Sequence, residues 1–348
     1  MRLKANHRVA ILLHGGIKGT YGKTGLTLLR YSEASIVAVI DKESPGRSLR
    51  ELTGIPTDVP IVQSVSHALS YKPDILVIGI APAGGALPPE WWLEIQNAIA
   101  AGLSVVNGLH MSLADRPEIQ MLLRSGQWIW DVRQEPQGVT IASALAAELS
   151  CQRVLTVGTD MAIGKMSTCL ELNRTALKRG LRSKFLATGQ AGLMIAGDGV
   201  ALDAVRVDFA AGAVEQVVTQ FGKNRDIIFI EGQGSLFHPG STATLPLLRG
   251  SQPTDMVLVH VAGQTSNRKH PHIPIPPLPQ AIQIYEAVAS SGGAFFPSRV
   301  AAIALNTKDL DEAAAKEAIA QTELETGLPC TDPVRFDANK LLDAIVGK

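Results

Sequence analysis

Gly158-Thr159-Asp160-Met161-Ala162-Ile163-Gly164-Lys165-Met166-Ser167-Thr168 follows the apolar run Val154-Leu155-Thr156-Val157 and leads into a segment of helical character over 168–179. A strand, a glycine loop carrying a lysine and then a helix is the build of a phosphate-binding P-loop. Its glycines let backbone N–H groups turn toward an anion, and the helix adds its unpaired first amides and positive dipole end. Lys165 then brings a point charge to the terminal phosphates, and Ser167 or Thr168 a hydroxyl for Mg²⁺. Two features depart from the commonest form: five residues, not four, separate Gly158 from Gly164, and Met166 stands at the usual Ser/Thr position. Gly158, Thr159, Asp160, Gly164, Lys165, Met166, Ser167 and Thr168 are therefore the candidate cofactor-binding set.

Around this loop, apolar strand-like runs alternate with helical patterns, which predicts an α/β protein with mostly parallel sheets. Strands are expected at 154–157, 184–187, 227–231, 256–260 and 300–305 on the P-loop side. In the first half they are expected at 9–13, 36–40, 75–78, 104–107 and 128–131, with helices over 24–31, 65–71, 89–101 and 116–124. That half has a Rossmann-like order, with His14-Gly15-Gly16 after its first strand and Asp41 after its second. Residues 137–150 read as a helix joining the halves. The expectation is a Rossmann-like domain over 1–148 followed by a P-loop NTPase-like domain over 149–348. The run 271–279 is too rich in proline for helix.

Bulk composition narrows the function classes. The chain has 348 residues, 46% hydrophobic and 18% charged, enough for two domains with substantial cores. Lys+Arg and Asp+Glu are both 32, so neither a nucleic acid nor a membrane surface is expected as partner. A small-molecule substrate is, and a homo-oligomer is left open. Three scattered cysteines, Cys151, Cys169 and Cys330, fit a reducing cytoplasm better than a disulfide framework or zinc site. No leader-like apolar run or membrane span is expected.

Other segments of the second half should share the rim with the P-loop. Ile227-Ile228-Phe229-Ile230-Glu231-Gly232-Gln233-Gly234 is an apolar strand ending in a carboxylate, well placed to hold a hard cation, so Glu231 and Ser167 are the metal candidates. Thr188-Gly189-Gln190-Ala191-Gly192 and Ala196-Gly197-Asp198-Gly199 permit close backbone approach to a ligand, and Asp198 is a candidate base. Ser235 lacks the second glycine of a nucleophile elbow, since Phe237 stands there, so it is expected to donate to ligand. His238 is a candidate general base, because imidazoles as a class change charge near neutral pH. Gly189, Gln190, Gln233, Ser235 and Arg268 form the candidate substrate set, with Arg249 an alternative arginine. His270-Pro271-His272 has metal-ligand spacing without nearby carboxylate or cysteine partners. In the first half, Gly16 to Gly22-Lys23-Thr24 repeats the five-residue spacing, and Ala81-Pro82-Ala83-Gly84-Gly85 suggests another rim loop. The Gly-x-Gly-x-x-Gly fingerprint is absent.

Gly158-Thr159-Asp160 before Gly164-Lys165 resembles the nucleotide loop of dethiobiotin synthetase and its relatives. That resemblance implies a Mg²⁺ role for Glu231 and an adenine-reading role for Asn306, at the end of the 300–305 strand. The whole chain is similar to a bacterial family long catalogued as a domain of unknown function, through the P-loop, Gly189-Gln190, Ala196-Gly197-Asp198-Gly199 and Glu231-Gly232-Gln233-Gly234-Ser235-Leu236-Phe237-His238-Pro239. This second resemblance implies D-glutamate N-acetyltransferase activity. Acetyl-CoA carries an adenosine diphosphate moiety that a P-loop suits, which makes acetyl-CoA (or ATP), with Mg²⁺ as a further candidate, the expected cofactor. Glu231, His238 and Asp198 are the candidate catalytic residues. An ATP- and Mg²⁺-dependent kinase or ligase activating a carboxylate, and a non-catalytic nucleotide sensor, stay open as alternatives.

Overall fold

The computed structural model describes residues 2–19, 21–80 and 87–347. Thr20 in the first glycine loop and the expected rim loop Ala81-Pro82-Ala83-Gly84-Gly85 lie outside the described residues. The chain divides into two compact units: Met1–Gln134 with Gln190–Gly197, and Glu135–Gly189 with Asp198–Lys348.

The first unit holds β1 (Arg8–Leu12), β2 (Ser35–Ile40), β3 (Ile61–Val62), β4 (Ile75–Ile78), β5 (Ser104–Asn107) and β6 (Ile129–Asp131). Its helices are α1 (Lys23–Tyr31), α2 (Leu49–Thr53), α3 (Val65–Ala68), α4 (Pro89–Ala100) and α5 (Pro117–Gln120). The six strands form one parallel sheet in the order β3-β2-β1-β4-β5-β6, the doubly wound Rossmann arrangement. Parallel strands covered on both faces read as unbroken apolar runs, and β4, Ile-Leu-Val-Ile, is buried at every position.

The second unit holds β7 (Gln152–Gly158), β8 (Ser183–Leu186), β9 (Ile227–Ile230), β10 (Asp255–Val261), β11 (Arg299–Asn306) and β12 (Cys330–Thr331). Helix α6 (Lys165–Lys178) follows β7, and α7 (Gln190–Ala196) belongs with the first unit. Next come α8 (Ala210–Gly222), α9 (Thr244–Ser251), α10 (Leu278–Ser290), α11 (Glu312–Thr326) and α12 (Asn339–Val346). The sheet is again fully parallel, ordered β12-β11-β10-β7-β9-β8. Chain order reverses at β7, so the loop leaving its carboxyl end opens the crevice where ligands of such sheets bind. The α/β reading with a Rossmann-like and a P-loop unit is borne out.

Three local expectations fail for identifiable reasons. Residues 137–150 are not a helix; only Leu145–Glu148 makes a short 3₁₀ turn. The Glu215 carboxylate of α8 takes the N–H groups of Ser143 and Leu145, and Ala144 sits at φ 61°, so tertiary anchoring overrides a helical pattern. The expected 116–124 helix shrinks to α5. Pro279 lies inside the first turn of α10, where its missing N–H is harmless. The edge strands β3 and β12 have two residues each, too few to show a period in the sequence. Among the described residues, no helix is long and apolar enough to cross a membrane. The three cysteines are free and buried.

Candidate P-loop site

Strand β7 is buried from Arg153 onward, and the chain turns out of it at Gly158. The loop is held at several points. Thr159 donates its N–H to Val259 O at 3.1 Å, and its hydroxyl lies 2.8 Å from His260 Nδ1 at the end of β10. Gly164, at φ 119°, starts α6 in a conformation that side-chain-bearing residues rarely adopt. Asn306 Nδ2 donates to Ile163 O at 2.8 Å, and its Oδ1 accepts from Lys308 N. Both ends of the amide expected to read adenine are thus engaged in bracing the loop. The N–H groups of Ala162, Ile163 and Gly164 have no acceptor among the described residues. Three successive open amides beside a helix start form an anion nest.

Lys165 is buried, and its Nζ donates to Asp160 O at 2.7 Å, closing the loop over its own lysine. Its stem runs between the ends of β7 and β9. A Cβ on Gly158 would lie 3.2 Å from Lys165 Cδ, and one on Gly232 would lie 3.1 Å from it. At Gly232 the same Cβ would meet Thr156 O at 1.6 Å, so no larger residue fits. Met166 and Ser167 are half-buried in the first turn of α6, while Thr168 is buried and donates its N–H to Gly164 O.

Asp160 is almost fully buried and organises the loop from within. Its carboxylate accepts from Met161 N, from Gln264 Nε2 at 2.7 Å and from Arg268 N at 3.0 Å. Burial alone would raise its pKa; the hydrogen bonds from Arg268, Met161 and Gln264 overcome that and hold it below the ordinary value.

Glu231, one residue beyond β9, is buried beside this loop. One carboxylate oxygen accepts Thr188 N at 2.9 Å and the other Gln233 Nε2 at 3.1 Å. A Cβ on Gly189 would meet Gln233 Nε2 at 2.4 Å, so that glycine lets the Gln233 amide in. Cys169, one turn along α6, is no nucleophile: burial, and then the Glu231 charge, push its thiol well above the usual range. Tyr285, from α10, donates its hydroxyl to Gly158 O at 2.7 Å and accepts Leu236 N, tying the strand end to the loop after β9.

Other candidates fall elsewhere. The Asp198 carboxylate is ion-paired with Lys184 of the edge strand β8, a poor setting for a base. Gln190 opens α7, and its amide donates to Thr24 within the first unit. Ser235 is 1% exposed and its Oγ accepts Phe237 N, so its hydroxyl serves the turn. His238 Nδ1 accepts Gly240 N at 3.1 Å. A ring nitrogen accepting from an amide carries no proton, which puts the ring hydrogen on Nε2. In this tautomer the acceptor nitrogen, Nδ1, is already engaged by the Gly240 amide. Arg249 is engaged with the carbonyls of Val288 and Ala289 and with Ser291 Oγ. No group of three His, Cys, Asp or Glu able to hold a metal ion exists among the described residues.

In the first unit, the glycine loop after β1 also leads into a helix, α1. There Asp41 turns inward, its carboxylate accepting Gly15 N at 3.0 Å and Glu43 N. His14 accepts Lys42 N and packs edge-on to Trp91.

Thr156, Thr188, His260, Gln264 and Tyr285 complete the P-loop surroundings and were not singled out as site residues from sequence. Each acts through a partner dozens of residues away, which leaves no local signal.

Comparison with known proteins fits this geometry. A family described as a domain of unknown function, DUF1611_C, a P-loop domain, matches residues 140–342. A Rossmann-like domain, DUF1611_N, matches residues 42–135. The chain is 36% identical to a D-glutamate N-acetyltransferase of Tritonibacter scottomollicae over 272 residues, 78% of this chain and 80% of that protein. It is 34% identical to one from a Pseudoalteromonas species over 282 residues, 80% of this chain and 83% of that protein. A crystal structure of a DUF1611 family protein from Anabaena variabilis ATCC 29413 is 67% identical, with a TM-score of 0.97, covering 99% of this chain and 100% of that one.

Proposed function

The chain belongs to the DUF1611 family, and from that premise we propose that it is an acetyltransferase moving an acetyl group from acetyl-CoA to the amino nitrogen of D-glutamate or a related amino acid. The observation that carries this reading is the nest of open amides at Ala162, Ile163 and Gly164 beside buried Lys165 and Glu231. The donor's pyrophosphate suits that nest, with Lys165 exchanging Asp160 O for a phosphate oxygen. The names of the two similar acetyltransferases support the reaction class.

The chemistry asks for little more. The neutral amine attacks the thioester carbonyl, a C–N bond forms, the C–S bond breaks and the thiolate leaves. The amine proton passes to a base, and donors must meet the oxyanion. Glu231 is the base in this reading, since its buried carboxylate stands at the end of β9 and is oriented by the bonds from Thr188 N and Gln233 Nε2. Gly232 N already donates to Thr156 Oγ1, whereas the next two amides, of Gln233 and Gly234, have no acceptor among the described residues and are the oxyanion donors. His238 Nε2–H is a further donor.

One observation favours a second reading, an ATP- and Mg²⁺-dependent ligase or kinase. A carboxylate at a strand's end beside a P-loop, here Glu231, with the Ser167 hydroxyl, suits Mg²⁺ held largely by phosphates and water. Thiol release from acetyl-CoA, measured across D- and L-amino acids, tests the choice together with calorimetric titration of acetyl-CoA and ATP–Mg²⁺. D-glutamate-dependent thiol release is expected, with a Lys165→Ala loss of roughly 10–100-fold in acetyl-CoA affinity, the scale of one charged hydrogen bond. ATP binding without acetyl-CoA binding would sink the acetyltransferase reading. ATP binding without turnover would point to a sensor.

A further inference from the structure

The connection from β10 to α10 folds as a small antiparallel hairpin. Ser266 bridges Pro274, Ile275 N donates to Thr265 O, and Asn267 N donates to Ile273 O. The tip, Arg268-Lys269-His270-Pro271-His272, is therefore a defined structure and not a loose proline-rich loop. Its base is bolted to the P-loop, because Gln264 and Arg268 N both reach the Asp160 carboxylate. Its side faces the loop after β9: Asn267 Nδ2 donates to Phe237 O at 3.0 Å, and the His270 ring lies edge-on to His238 at 5.3 Å. The His272 ring continues the series at 6.0 Å from His270.

The tip is cationic without internal compensation. Arg268 and Lys269 are exposed, and neither is paired with a carboxylate among the described residues. The frame also keeps two buried acceptors, Gln264 Oε1 and Asn267 Oδ1, that meet no donor. Neither is a flipped amide, because each nitrogen already faces an oxygen, of Asp160 and of Phe237 respectively. Open cations together with open acceptors match a ligand bearing both carboxylates and N–H groups.

Position separates the acceptor from the acetyl donor. In the sheet order β11-β10-β7-β9, Asn306 stands on the β11 flank of the P-loop and Glu231 on the β9 flank. The hairpin reaches Phe237 and His238 in the loop that Glu231 begins, the side on which the attacking amine arrives in this reading. We propose that the hairpin tip, through Arg268 and Lys269, holds the carboxylates of the amino-acid acceptor and sets its preference for acidic amino acids. This rests on the acetyltransferase reading above.

The test is steady-state kinetics with D-glutamate and D-glutamine on wild type, Arg268→Ala, Lys269→Ala, the double variant and Arg268→Lys. Arg268→Ala should raise KM for D-glutamate roughly 10–100-fold, the scale of a charge-assisted pair, with Arg268→Lys recovering part. The double variant should lose the discrimination between D-glutamate and D-glutamine, while KM for acetyl-CoA moves less than about threefold. An unchanged D-glutamate to D-glutamine ratio in the double variant overturns the proposal. So does a rise confined to KM for acetyl-CoA, which would assign the tip to the nucleotide. A wild type that acetylates no acidic amino acid would overturn the reading of function as well; an active wild type with indifferent variants overturns the hairpin assignment alone.

Discussion

His260 offers a quantitative test of how the P-loop is supported. It is the last but one residue of β10, is 7% exposed, and sets Nδ1 2.8 Å from the Thr159 hydroxyl. Burial disfavours the imidazolium and lowers its pKa from 6.5 to about 4. The sign follows directly. In the unfolded chain the ring takes up a proton as pH falls through 6.5, while in the folded chain it resists until about 4. The contribution is fully present above pH 6.5, is lost as pH falls through that window, and levels off below about 4. At roughly 1.4 kcal/mol per pH unit the whole window is worth about 3 kcal/mol, of which about 2 kcal/mol falls between pH 6.5 and 5. Asp160 acts in a lower window, since a carboxylate held below 3.8 loses its contribution only beneath that value. The assay compares denaturant unfolding of wild type and His260→Gln at pH 7.5, 6 and 5, with ¹³Cε1-histidine NMR following the ring directly. Wild type should lose about 2 kcal/mol relative to the variant between pH 7 and 5. A ring titrating near 6.5, or a flat difference, would refute the argument that burial keeps His260 neutral as a brace for Thr159.

Three further substitutions probe the same loop. Gly232→Ala places a Cβ 1.6 Å from Thr156 O and should cost roughly 3 kcal/mol or more, seen as a lower melting temperature; normal stability would mean that β7 and β9 separate easily. Asn306→Ala should free Ile163 O and weaken binding of acetyl-CoA and of inorganic pyrophosphate alike, by roughly 1 kcal/mol in calorimetry; a loss confined to the adenine-bearing acetyl-CoA would restore the base-reading role. Tyr285→Phe removes the bond to Gly158 O and the acceptor for Leu236 N, and should lower stability by about 1–3 kcal/mol in chemical denaturation.

What was legible in the sequence follows from how far each feature reaches along the chain. Strands such as β4 and β9 are continuous apolar runs because both faces are covered, so they announce themselves within four residues. The P-loop is equally local, since its glycines, lysine and helix start are contiguous. The 137–150 segment misleads because its conformation is dictated by Glu215, more than sixty residues away. The edge strands β3 and β12 are too short to carry a period.

The candidate site divides along the same line, and the division decides which residues deserve a chemical role. Spacing identifies residue types, but only geometry says what each side chain is already doing. Asn306, Ser235 and Asp198 have the right chemistry, yet each has a polar atom already engaged, by Ile163 O, Phe237 N and Lys184 respectively. His238 is a subtler case, since a backbone amide already occupies its Nδ1. Arg249 and Arg268 are indistinguishable in sequence, but Arg249 is engaged with helix-end carbonyls, whereas among the described residues Arg268 is tethered only through its backbone. Among the described residues, the amides of 162–164, those of Gln233 and Gly234, and the cations of the hairpin tip stay open. They run from the P-loop toward the loop after β9, so under the acetyltransferase proposal they mark the direction in which an acyl group would pass from donor to amine.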